Sequence, residues 1–69
     1  MSHIKTYNYP KLIKSLNAIT TTNQSHESAI AQIIYGLENQ HRVHWINDAL
    51  TEDGLPTVYT ILDFYHITY

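Results

Sequence analysis

The sequence predicts a small, mainly α-helical domain of three or four helices, with helix-turn-helix-like packing of the last of them. Three observations carry that expectation. Apolar residues recur at intervals of three and four through the middle of the chain. Pro10, Gly54 and Pro56 fall where helices would start or stop. The 69 residues make one domain at most, spanning 1–69. A chain this short buries only about 60% of the surface it exposes when unfolded, so it has little core to spare.

The first segment, His3–Tyr9, alternates: Ile4 and Thr6 on one side, Lys5 and Tyr7 on the other. It reads as an extended arm or short strand over 1–9. Pro10 suits a first helical position, where its missing N–H has no partner to lose. From there Leu12, Ile13, Leu16 and Ile19 fall within about 120° of helical arc, with Lys11 and Lys14 pointing elsewhere. The run 20–24, TTTNQ, breaks this helix.

The second helix is expected to begin near Ser25 as N-cap, with Glu27 facing the positive end of the helix dipole. Ile30, Ile33, Ile34 and Leu37 form its buried stripe, and Ala31 and Tyr35 a smaller pair off that stripe. Gly36 weakens the helix by about 1 kcal/mol relative to Ala. The polar run Glu38-Asn39-Gln40-His41 reads as a turn.

A third helix, 41–53, buries Val43, Ile46 and Leu50. Its end is the clearest local signal: Gly54 suits the left-handed residue after a helix, Leu55 reaches back to Leu50, and Pro56 prevents continuation. Trp45 lies about 160° from the buried stripe and shares its side of the helix with Ala49. The last segment, 57–69, is ambiguous. Val58, Ile61, Leu62, Tyr65 and Tyr69 make a helical stripe, yet the same β-branched and aromatic residues suit a strand. Pro56 is well placed to open a helix, which favours that reading. Tyr59, Phe64 and Ile67 are left over in either case, and a homodimer through this segment is expected.

The run TVYTIL at 57–62 resembles the start of the recognition helix in winged-helix repressors of the ferric-uptake and penicillinase-repressor kinds. The resemblance covers residues 28–65 in pattern and these six residues in wording. It implies that 41–53 is the first helix of a helix-turn-helix and 26–39 its support, in a DNA-binding regulator. The sequence departs from that family where bases would be read. Positions 56–69 hold no Arg, Lys, Asn or Gln, the usual readers of base edges, and they include Asp63.

Charge separates along the chain. Residues 1–25 carry Lys5, Lys11 and Lys14 with no acid, while residues 26–69 carry Arg42 against six carboxylates, a formal −5. Nucleic acid attracts basic faces and repels acidic ones, so an acidic helix-turn-helix is an unpromising DNA reader. Cysteine is absent, which excludes disulfides, thiolate zinc sites and cysteine nucleophiles; a reducing cytoplasm is the plainer setting. No secretory signal is expected from MSHIKTYNYPK, and no apolar run approaches the ~20 residues that cross a bilayer, so no membrane partner is expected.

Enzymatic motifs are missing: there is no G-x-S-x-G elbow, P-loop, H-E-x-x-H or dinucleotide fingerprint. Glu38-x-x-His41-x-x-His44 steps some 240° around a helix and reads better as a turn than as a metal site. Neither metal nor cofactor is expected, and the chain is not expected to be an enzyme.

Only 14% of residues are charged, yet there are six Tyr, one Trp and one Phe. That balance is found at recognition surfaces, where an amphipathic ring lies half wet until a partner covers it. It is equally the balance of an Asn/Thr/Gln-rich surface with no particular purpose. The function expected is a small regulatory or inhibitory adaptor that binds another protein. Trp45 is its anchor, with Tyr35, Tyr59 and Phe64 in support, and Glu38, Asp48, Glu52 and Asp53 form an acidic rim selecting a basic partner. The composition is also compatible with a phage or mobile-element product that blocks a host complex. The alternative is a helix-turn-helix-like transcriptional regulator that contacts DNA through Lys5, Lys11 and Lys14.

Overall fold

The protein, in a computed structural model, is described over residues 8–68, and among these it forms four helices and no strand. They are α1 (Tyr9–Asn17), α2 (Gln24–Glu38), α3 (Val43–Glu52) and α4 (Val58–Phe64). The mainly helical fold expected from the periodicity is therefore the fold observed. The arm or strand expected over 1–9 falls outside the described residues as far as position 7, Lys5 included. Asn8 is extended, but Tyr9 is already helical.

Asparagine caps α1 and α2 and moves both starts from where they are expected, and α3 begins at Val43, two residues after the expected 41. The Asn8 side chain accepts from Lys11 N at 3.1 Å, so α1 begins at Tyr9 and Pro10 takes its second position. Asn23 accepts from His26 N at 3.1 Å, while its own N–H donates to Thr21 Oγ1 at 3.1 Å. Asparagine caps at least as well as serine. Ser25 consequently lies inside the first turn of α2 rather than at its cap.

α2 is the central element: α1, α3 and α4 all pack against it, and α3 also meets α4. Its stripe of Ala29, Ile30, Ile33 and Leu37 is buried against Leu12 and Leu16 of α1, Val43, Ile46 and Leu50 of α3, and Val58, Ile61 and Leu62 of α4. Burying a Leu or Ile is worth about 1.5–3 kcal/mol, so this cluster supplies most of what holds the helices together. Gly36 sits within α2 against Ile46, where an added Cβ would lie 2.6 Å from Ile46 Cγ1. The missing side chain lets α3 come close.

The end of α3 is the one expected. Gly54 has φ 70, Gly54 N donates to Thr51 O at 3.0 Å, and Leu55 N donates to Leu50 O at 2.8 Å. The same closure ends α2, at Gln40 (φ 61), and α4, at His66 (φ 55).

The ambiguous segment is helical, though shorter than its apolar stripe. Val58 N donates to Asn47 Oδ1 of α3 at 2.8 Å, and Thr57 caps the helix. α4 stops at Phe64 because the chain reverses at His66 and Ile67 N donates to Leu62 O at 2.9 Å. That reversal corrects one expectation: Ile67 is not left over but packs, partly buried, on the core. Tyr69 lies outside the described residues.

Candidate functional site

The off-stripe pairs of α2 and α3 meet. Ala31 and Tyr35 on one helix face Trp45 and Ala49 on the other across a groove of about 400 Å³. Its floor is Gly36 and Ile46, and His41 and Gln32 complete the lining. Gly36 permits the close approach of Ile46 at this floor, and the two rings stand exposed on either side. Trp45 is 66% exposed and Tyr35 is 65% exposed. Tryptophan is on average among the better buried side chains, so this degree of exposure is informative.

Hydrogen bonds fix the ends. Gln32 Nε2 donates to Asp53 Oδ2 at 2.9 Å, joining α2 to the C-cap of α3. At the other end Tyr9 Oη donates to the His41 carbonyl at 2.7 Å, and the His41 ring meets Tyr35 edge-on at 6.4 Å. A neighbouring hollow is bounded by His41, Arg42 and Trp45, so His41 and Trp45 belong to both.

Four exposed carboxylates lie on the two helices that form the groove or at their ends. Asp48 and Glu52, three and seven residues beyond Trp45, are exposed on the same side of α3. Asp53 is held by Gln32, and exposed Glu38 ends α2.

The other two expected aromatics stand apart from the groove. Phe64 is 61% exposed and meets His26 edge-on at 4.7 Å, near the start of α2. Tyr35 lies nine positions beyond His26 on the helix, about 13.5 Å at 1.5 Å per residue. His26 Nδ1 lies 2.8 Å from Tyr65 Oη, so this second cluster ties the end of α4 to α2. Tyr59 is 41% exposed on α4 and does not line the groove. Sequence reasoning missed His41 and Gly36 as groove residues; the glycine among bulky neighbours was the available signal.

The residues of the alternative reading lie elsewhere. Lys11 and Lys14 are exposed on α1. The exposed residues of α4, the recognition helix of the winged-helix resemblance, are Tyr59, Thr60, Asp63 and Phe64, with no cation among them. Glu38, His41 and His44 are divided between the end of α2, the turn and α3. Among the described residues no cluster of His, Cys, Asp or Glu has the arrangement of a metal site, and no helix is long and apolar enough to cross a membrane. The chain matches no family model, no curated protein and no solved structure.

Proposed function

We propose that this protein is a small non-enzymatic adaptor, regulatory or inhibitory in effect, that captures another protein in the groove between α2 and α3. The observation that carries this reading is the exposure of Trp45 and Tyr35 on opposite walls of one apolar groove. Binding energy at interfaces concentrates in such aromatic residues, above all Trp and Tyr near the centre of a patch. Trp45 is the anchor and Tyr35 its opposite wall. The carboxylates of Glu38, Asp48, Glu52 and Asp53 favour a partner with a basic surface and speed its encounter. Phe64 and Tyr59 belong to a separate surface. The cysteine-free composition suits work in a reducing cytoplasm.

Panning a displayed random-peptide library on the protein tests this. Enriched peptides should lose at least tenfold in affinity, about 1.4 kcal/mol, on Trp45→Ala and on Tyr35→Ala. They should bind a Lys11→Glu/Lys14→Glu control as well as the unaltered protein. Both aromatic variants should keep their helical circular dichroism. No enrichment, or enriched peptides indifferent to Trp45, would overturn the adaptor reading.

A further inference from the structure

We infer that the occupant of the groove is a peptide segment in which an apolar side chain sits beside an arginine, with the guanidinium stacked on Trp45. The groove is the one assigned above to partner capture, so the arginine rests on that reading and refines it. The floor of Gly36 and Ile46, with Ala31 and Ala49 beside it, accepts an aliphatic group and offers no charge. Exposed Trp45 and Tyr35 stand on its two sides, and an aromatic face attracts a cation through its quadrupole, Trp most strongly.

Carboxylates outnumber the one cation, Arg42, on and beside α3. Asp48 and Glu52 flank Trp45 along α3, and Asp53 is set at the Gln32 end by a 2.9 Å hydrogen bond. Arg42, the cation nearest in sequence, bounds the neighbouring hollow and does not line this one. No Asp, Glu, Lys or Arg lines the groove itself, so its charge preference comes from the carboxylates beside it. Arginine fits better than lysine because the site is open to solvent. A guanidinium is planar, weakly hydrated and able to stack on an indole while its N–H groups reach a carboxylate; an ammonium keeps its water.

Three blocked tripeptides separate the contributions: Leu-Arg-Leu, Leu-citrulline-Leu and Leu-Lys-Leu. Citrulline keeps the planar shape of arginine and removes its charge. Each is titrated to about 10 mM into the ¹⁵N-labelled protein, a range that detects even millimolar affinity. The arginine peptide should shift the Trp45 indole N–H and the Gly36 and Ala49 amides, binding about threefold or more tightly than either relative. Asp48→Asn/Glu52→Gln should erase most of the advantage over citrulline without moving the resonances of α1.

Equal binding of arginine and citrulline in the groove would overturn the cation while leaving the adaptor reading intact. Equal binding of lysine and arginine would overturn the stacked guanidinium in favour of charge alone. Shifts confined to other surfaces, or none, would overturn the inference altogether. The library experiment judges the adaptor reading separately.

Discussion

An alanine at position 36 would bring its Cβ to 2.6 Å from Ile46 Cγ1 and 2.8 Å from Ile46 Cδ1. Helix propensity alone would favour the change by about 1 kcal/mol. The contact opposes it, because Ile46 is buried, β-branched and stiff at χ1, so either that side chain or α3 itself must move. Overpacking of this kind costs about 1–3 kcal/mol, and the balance falls on the destabilising side. Gly36→Ala should therefore lower the urea midpoint, with Glu38→Ala as an exposed control; a raised midpoint would show that α2 and α3 do not touch here. Trp45 presents the opposite case. At 66% exposure its truncation should change unfolding free energy by no more than about 1 kcal/mol, where a core Trp would cost about 3–5. Thermal melts of Trp45→Ala decide between the two. The sequence gives the exposure of Trp45 because its phase against Val43, Ile46 and Leu50 is a local property. It gives only the local half of Gly36, its poor propensity, since the reason for the glycine lies ten residues away on another helix.

Three of the four helices end in the same left-handed reversal, and only one end is written in glycine. Gln40, Gly54 and His66 have φ of 61, 70 and 55. Each is followed by a donor reaching five residues back: His41 N to Gly36 O, Leu55 N to Leu50 O, and Ile67 N to Leu62 O. A side chain in that conformation costs about 1–2 kcal/mol, so residues 40 and 66 are tolerated there rather than selected by propensity. Composition at those two positions is consequently silent, and the Ile67 reversal was invisible where the Leu55 one was plain. Gln40→Gly should gain about 0.5–1 kcal/mol after the larger unfolded-state entropy of glycine is subtracted. Denaturant titration checks this, and a loss would mean that the Gln40 side chain makes a contact worth more than the strain. α4 depends on its neighbours even more directly. Seven residues are too few for a helix to stand alone. Its first amide is held by Asn47, its cap is Thr57, and its end is tied down through Tyr65 and His26. Asn47→Ala should cost about 1–2 kcal/mol, with hydrogen exchange accelerating first at the start of α4. Protection lost equally throughout the chain would instead make α4 part of one cooperative unit. The apolar stripe of 57–69 fitted helix and strand alike; the Asn47 bond and the packing on α2 decide between them, and neither is periodic in sequence.

At the scale of the molecule the separation of charge along the chain becomes a separation between helices. Lys11 and Lys14 stand exposed on α1, while Glu27, Glu38, Asp48, Glu52, Asp53 and Asp63 stand exposed on α2 to α4 and their ends. The asymmetry was fully legible in the sequence, being a count. The groove between Tyr35 and Trp45 was not, because that required the meeting of two off-stripe pairs from different helices. This polarity bears on the rival function. DNA affinity falls with salt in proportion to the phosphates neutralised, with a slope of about −0.9 for each. Lys5, Lys11 and Lys14 allow about three such contacts for each chain, and no cation on the exposed face of α4 adds to them. A body of formal −5 over residues 26–69 repels the same phosphates. Duplex DNA, random or genomic, should therefore give no mobility shift at micromolar protein and about 150 mM salt, and only weak, steeply salt-sensitive retention below that. Specific submicromolar binding under those conditions, abolished by Lys11→Glu/Lys14→Glu, would replace the adaptor with a DNA-binding regulator. The same double variant leaves the groove untouched, so it should bind the arginine peptide undiminished. One pair of substitutions on α1 thus tells the two functions apart.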